Sequence, residues 1–145
     1  MNKNYLSKIN SDELSFVEKI LQENHLVTHG VFSDNVIFYW FISDEKKVGF
    51  AAFEERGKSA LLRSMVIFNE YRNQNFGSKF CSLLIDKAKE MNFKNIYLLT
   101  TTAKDFFLKQ NFKLTQRNFA PPEIQESEQF KSICPETAAC LYLDL

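Results

Sequence analysis

The chain reads as a mixed α/β protein: a central sheet, antiparallel in its first half, with helices on both faces. Three observations carry that reading. Aromatic and β-branched runs at residues 36–43, 48–55 and 60–67 are separated only by short turn-forming segments, which is the spacing of a meander. Apolar residues then recur at Phe80, Leu83, Leu84, Ala88 and Met91, the period of one helical face. From there to the C-terminus helix and strand patterns alternate, an order that adds further strands through helical connections.

The elements follow in sequence. Residues 5–9 predict a short first strand. Asn10 with Glu13 three positions on makes an N-cap for a helix over 11–23, whose inner face is Leu14, Val17, Ile20 and Leu21. Residues 25–35 predict a loosely structured stretch. Strands over 36–43 and 48–55 are joined through Asp44-Glu45-Lys46-Lys47, and Glu55-Arg56-Gly57-Lys58 turns into a fourth strand over 60–67. A helix over 78–91 and a fifth strand over 96–100 follow. A short helix over 103–110 and a strand over 112–116 come next. Pro121-Pro122 interrupts the chain, 123–133 predicts a helix, and 139–143 closes as a final strand.

Composition narrows the function classes. With 145 residues, 45% of them hydrophobic and 15 of them Phe, the chain can bury the core of one domain over 1–145. Lys plus Arg and Asp plus Glu balance at 18 each, so no basic field points to nucleic acid or to an anionic membrane. No apolar run approaches a membrane span, and Met1-Asn2-Lys3-Asn4 does not open a signal peptide, so a cytoplasmic protein is expected. Cys81, Cys134 and Cys140 do not suggest a disulfide framework and are expected as buried free thiols. His25 and His29 are four apart but have no acidic partner between them, so no metal site is predicted.

The segment Arg72-Asn73-Gln74-Asn75-Phe76-Gly77-Ser78 lies between a buried strand and an amphipathic helix. A helix N-terminus leaves backbone N–H groups unpaired and carries the positive end of the peptide dipoles. Small and turn-tolerant residues there let an anion approach the backbone, so the local chemistry suits phosphate. The spacing is not that of a Walker loop, and Gly77 alone cannot make a three-glycine dinucleotide fingerprint.

This segment resembles the acyl-CoA pyrophosphate loop of the GCN5-related N-acetyltransferase (GNAT) family, Gln/Arg-x-x-Gly-x-Gly/Ala. Arg72 fills the first position and Gly77 the last, with Asn75 where glycine is usual. Downstream, Ala103-Lys104-Asp105-Phe106-Phe107-Leu108-Lys109-Gln110-Asn111-Phe112 resembles the family's Ala-x-x-Phe-Tyr-x-x-x-Gly-Phe signature. There Phe107 takes the Tyr position and Asn111 the Gly position. Leu61-Leu62-Arg63-Ser64, Leu98-Leu99-Thr100-Thr101-Thr102-Ala103 and Gln129-Phe130-Lys131-Ser132-Ile133-Cys134-Pro135 are similar to the family's branch associated with arsenic resistance.

The resemblance implies a GNAT-like sheet and an N-acetyltransferase with acetyl-CoA as co-substrate and no metal. Its acceptor would be a small primary amine carrying acidic groups, its mechanism direct transfer, and a homodimer is compatible with it. The pyrophosphate would lie on the amides of Gln74, Asn75, Phe76, Gly77 and Ser78, next to Arg72 and Asn73. Pantetheine would run along Met65, Val66 and Ile67, where the fourth and fifth strands splay, and Phe107 would border the thiol end.

Acceptor residues are expected among charged groups in apolar surroundings. Arg63 interrupts an apolar strand, either in a structural ion pair or at an edge position, or as a guanidinium aimed at an anionic acceptor. Arg117, just before the Pro pair, is a second candidate. Glu54 and Glu55 alternate at a strand end, so only one of them can face the cleft and accept a proton. Thr101 and Thr102 are the hydroxyls available to protonate the leaving thiolate, since Phe107 has no proton to give. The competing reading is a non-catalytic module that binds acyl-CoA or a protein partner on the same fold.

Overall fold

The computed structural model describes residues 3–24, 26, 33–133 and 137–145. Strands β1 (Asn4–Lys8), β2 (Val36–Ser43), β3 (Lys46–Arg56) and β4 (Ser59–Ile67) form an antiparallel meander. Strands β5 (Asn95–Thr100), β6 (Lys113–Thr115) and β7 (Ala139–Asp144) complete a seven-stranded sheet in the order β1-β2-β3-β4-β5-β7-β6. Among the described residues only β4 and β5 pair in parallel. The sheet is therefore mixed and mostly antiparallel, with its antiparallel meander first, as the sequence predicts.

The β2–β3 turn is tighter than the four-residue link expected. Asp44 and Glu45 both adopt positive φ, at 49° and 71°, and they alone make the turn, so Lys46 and Lys47 become the start of β3. Two consecutive left-handed residues match the twist of the flanking strands, which is why two-residue hairpins take this form.

Helix α1 (Leu14–Glu23) follows a single 3-10 turn at Ser11–Glu13 rather than starting at residue 11. Its Val17 and Leu21 are fully buried on one face of the sheet with Phe38, Trp40, Phe50, Ala52 and Val66. Helix α2 (Phe76–Glu90) and helix α3 (Lys104–Lys109) cover the opposite face. There Phe80, Cys81, Leu84 and Ala88 pack with Phe41, Phe53, Leu62, Leu98 and Phe107. Phe41 and Phe80 stack with centroids 4.4 Å apart, joining sheet to helix at the middle of that core.

The helix predicted over 123–133 breaks in two. Helix α4 (Pro122–Gln125) ends before Ser127, and a π turn runs over Gln129–Ile133. Ser127 is buried and its hydroxyl accepts from the Phe130 amide at 3.3 Å, a local bond that competes with helix continuation. Ile124 and Phe130 then cover Leu61, Tyr97 and Cys140 on the α1 face of the sheet. Among the described residues no helix is long and apolar enough to cross a membrane. His25, His29 and Cys134 lie outside the described residues.

Candidate active site

The register between β4 and β5 covers only Ser59, Ala60 and Leu61 against Asn95, Ile96 and Tyr97. Beyond it β5 stays paired with β7 through Thr100, while β4 stays paired with β3 through Ile67. The two strands thus part company after Leu61. Met65, Val66 and Ile67 lie on the stretch of β4 past that point.

A bulge marks the same stretch. Ala52 opposes Arg63 and Phe50 opposes Val66, so two residues of β4, Ser64 and Met65, face one of β3. Ser64 takes the strain with φ of 62°. The extra residue reverses the alternation of side chains. Leu62 points into the α2 core before the bulge, whereas Val66 points to the α1 face after it. Gly49 on β3 lets the strands close there, because a Cβ on it would run into the Val66 carbonyl.

The loop after β4 ends at the N-terminus of α2. Asn73 and Asn75 both have φ of 64°, so the position where asparagine replaces the usual glycine is left-handed. Asparagine tolerates that region better than other residues with a Cβ. Asn75 is the N-cap of α2, and Phe76, Gly77 and Ser78 make its first turn with their amides directed outward. Gly77 is helical rather than left-handed. Its missing Cβ makes room for the ring of Phe106, whose nearest atoms would stand 3.1 and 3.3 Å away from one. Gln74 turns back, its amide donating to the Glu70 carbonyl at 3.1 Å, and Ser78 Oγ accepts from Gln110 at 3.0 Å. The Arg72 side chain also turns back, donating to the Ile67 carbonyl at 2.9 Å.

On the α1 face, Glu54 and Arg63 meet. Glu54 Oε1 lies 2.8 Å from Arg63 Nη1, and Glu54 Oε2 lies 3.4 Å from Arg56 Nη1. The structural half of the Arg63 alternative is therefore realised: the guanidinium is buried and shares a carboxylate. Strand alternation sends Glu55 to the other face, where it is exposed. Around the pair is a cavity of about 220 Å³ that also takes in Asn35, Glu126 and Glu128. Sequence reasoning missed Arg56, Glu126 and Glu128. Their signal is only a run of charges flanking two turns, and the turns bring them together.

Arg117 does not join Arg63. It heads a 3-10 turn at Arg117–Phe119 and lines a separate cavity of about 480 Å³ with Thr115, Phe130 and Cys140. Burial pushes the Cys140 thiol up to about 11, against the opposing pull of the Arg117 charge. Thr101 and Thr102 are exposed at the bend after β5. The hydroxyl with a structural task is Thr100, whose Oγ1 accepts from the Ala103 amide at 3.0 Å ahead of α3. Phe107 is buried, packing its ring on Phe106 and Phe112. Among the described residues no group of three or more His, Cys, Asp or Glu could hold a metal ion.

The fold that holds this site is shared with known proteins. The model of the acetyltransferase (GNAT) family matches residues 5–112. A GNAT-family acetyltransferase from Staphylococcus aureus superposes with a TM-score of 0.73 at 18% identity, covering 99% of both chains. An acetyltransferase from Bacillus subtilis in complex with CoA gives 0.64 at 16% identity, covering 100% of this chain and 99% of that one. N-acetylglutamate synthase from Neisseria gonorrhoeae, complexed with coenzyme A and N-acetyl-glutamate, gives 0.77 at 14% identity. It is matched over 99% of this chain, which spans only 35% of the synthase. At such identities these likenesses speak for the fold. The family match covers well over half of the 145 residues, and by it the chain belongs to the acetyltransferase (GNAT) family.

Proposed function

We propose that residues 1–145 form one acetyltransferase domain, acting in the cytoplasm on acetyl-CoA and a small amino-acid-like amine that carries acidic groups. The observation that carries the reading is the opening between β4 and β5 beside the α2 N-terminus. Its shape suits a cofactor with an anionic end and an amide-bearing arm. The complexes of the Bacillus and Neisseria proteins with coenzyme A support that choice.

In this reading the pyrophosphate rests on the amides from Gln74 to Ser78, where dipole and unpaired N–H groups converge. The pantetheine arm pairs with the backbone of Met65, Val66 and Ile67 as an added strand would. The acceptor amine attacks the thioester carbonyl, and the carbonyl oxygen gathers negative charge. The bulge at Ser64 is where the β4 ladder lapses, so a backbone N–H there is the candidate donor to that oxygen. Most of the acceleration comes from holding two reactants in line.

Proton transfer is the sparse part of the site. Glu54 has both oxygens engaged by arginines, so it takes the amine's proton through water rather than by contact. Glu55, on the opposite face, has no part in that step. The leaving thiolate is protonated by water or by Thr101 or Thr102, because Phe107 carries no proton. Coenzyme A thiolate is a tolerable leaving group, and the missing acid slows the step without forbidding it.

The cavity around Glu54 and Arg63 is the proposed acceptor site. It presents guanidiniums from Arg56 and Arg63 and carboxylates from Glu54, Glu126 and Glu128. A wall of both signs fits a molecule that brings an ammonium and a carboxylate together. This accords with the arsenic-resistance branch as the finer family assignment. Release of free thiol from acetyl-CoA across a panel of amines tests it. Anionic amino acids should turn over and spermidine should not. Binding of coenzyme A without turnover of any amine would instead make the chain a non-catalytic acyl-CoA-binding module, the reading that the missing Tyr favours.

A further inference from the structure

The first residue of the cofactor loop is fastened to an element far away in sequence. Arg72 Nη2 donates to Asn24 Oδ1 at 3.0 Å across 48 residues, while Arg72 Nε holds the carbonyl of Ile67, the last residue of β4. Asn24 is the C-cap of α1, and its own Nδ2 donates to the Ile20 carbonyl at 2.8 Å. That bond leaves the amide oxygen, not the nitrogen, to face the guanidinium. Arg72 is extended, at φ −72° and ψ 157°, and Asn73 next to it is left-handed. The chain therefore reverses its backbone conformation immediately after the fastening.

We infer that Asn24 is a positioning residue for the cofactor loop: it holds Arg72, and Arg72 sets the path by which residues 73–78 present their amides. This rests on the acetyl-CoA reading above. A guanidinium with its Nε edge turned to the protein has given up one of the paired donors that make arginine a bidentate phosphate ligand. The pyrophosphate is thus received by backbone, and Arg72 acts one step behind it. A loop ordered before binding loses less entropy when the ligand arrives, which is how a contact outside the site raises affinity.

Calorimetric titration of coenzyme A into the intact protein and its variants tests this. Asn24→Ala should raise the Kd about 3- to 10-fold, the range for one ordinary hydrogen bond, since solvent screens the charge at this exposed position. Arg72→Ala should raise it as well, and the double variant no further than Arg72→Ala alone, because the two act as one unit. Val17→Ala, which empties part of the α1 core, should lower Tm more than Asn24→Ala yet leave the Kd unchanged. Should Asn24→Ala bind as tightly as the unaltered protein while Arg72→Ala weakens binding, the guanidinium itself contacts phosphate and the inference falls. It falls too if the Kd merely follows Tm across all the variants. No binding by the unaltered protein would overturn the acetyl-CoA reading, and this inference with it.

Discussion

Glu54 and Arg63 stand nine positions apart on adjacent strands and meet at 2.8 Å with side chains only 7% and 1% exposed. A charge this deep is tolerable only with its partner, so removing one half strands the other. Arg63→Ala should cost about 3–5 kcal/mol of stability by denaturant unfolding. Replacing both at once, as Glu54→Leu with Arg63→Met, should recover most of that loss. Thiol release separates structure from function: the stable double variant should remain inactive if the pair also receives the acceptor. Full turnover by it would confine the pair to a structural task.

Asn75 tests the loop. Its left-handed backbone costs a β-branched residue about 1–2 kcal/mol, and costs glycine nothing. Asn75→Gly should keep the thermal shift given by coenzyme A, whereas Asn75→Val should lose it. For the unaltered protein, coenzyme A at 100 times its Kd stabilises by about 2.7 kcal/mol, and NAD and ATP should give no shift. Absence of a shift at millimolar coenzyme A would remove the loop from the cofactor site.

Gly49 is intolerant for a different reason. Its φ is unremarkable, but a Cβ would meet the Val66 carbonyl of the facing strand. Gly49→Ala must push β3 from β4 beside the bulge, at a cost of about 1–3 kcal/mol or more. The denaturation midpoint should fall, and affinity for coenzyme A should fall with it, since Val66 lies on the displaced segment.

Glu13 predicts a pH dependence. Its carboxylate accepts from Lys47 at 2.7 Å and from the Trp40 indole at 3.3 Å, and these bonds hold its pKa below the usual 4.5. The folded state therefore keeps Glu13 ionised where the unfolded chain already takes up a proton. Its contribution is present above 4.5 and is lost as pH falls through the lowered native value. Tm should drop over that interval by more in the unaltered protein than in Glu13→Gln, and parallel curves would show that Glu13 is not responsible.

What the sequence makes legible is local. Strand 36–43 was readable to the residue because its aromatic run has no competing period, and it is observed as Val36–Ser43. The left-handed tolerance of Asn75 is a property of one side chain, and it too could be read. Ser64 is harder. An adjacent Arg63-Ser64 pair inside an apolar strand was the visible sign of a bulge, but one polar residue in a strand has many causes. The pairing of Arg63 with Glu54 depends on the β3–β4 register, which the bulge itself shifts. Asn24 carried no sign at all. Its importance comes from a contact across 48 residues, and the α1 pattern gives no reason to prefer it to Gln22 or Glu23.

The brief pairing of β4 with β5 also has a mechanical meaning. Among the described residues, three register pairs stitch the N-terminal meander to the C-terminal strands within the sheet, helped by the Lys94 amide donating to the Lys58 carbonyl at 2.8 Å and by side-chain packing beneath α2 and α4. The sheet is thus two panels with a short seam. A cofactor arm lying along β4 in the gap would lengthen that seam, so the amides near it should exchange with solvent more slowly once coenzyme A is bound. A cofactor so placed would serve as part of the scaffold as well as a reactant, and its departure would leave the two panels joined by the short seam and side-chain packing alone.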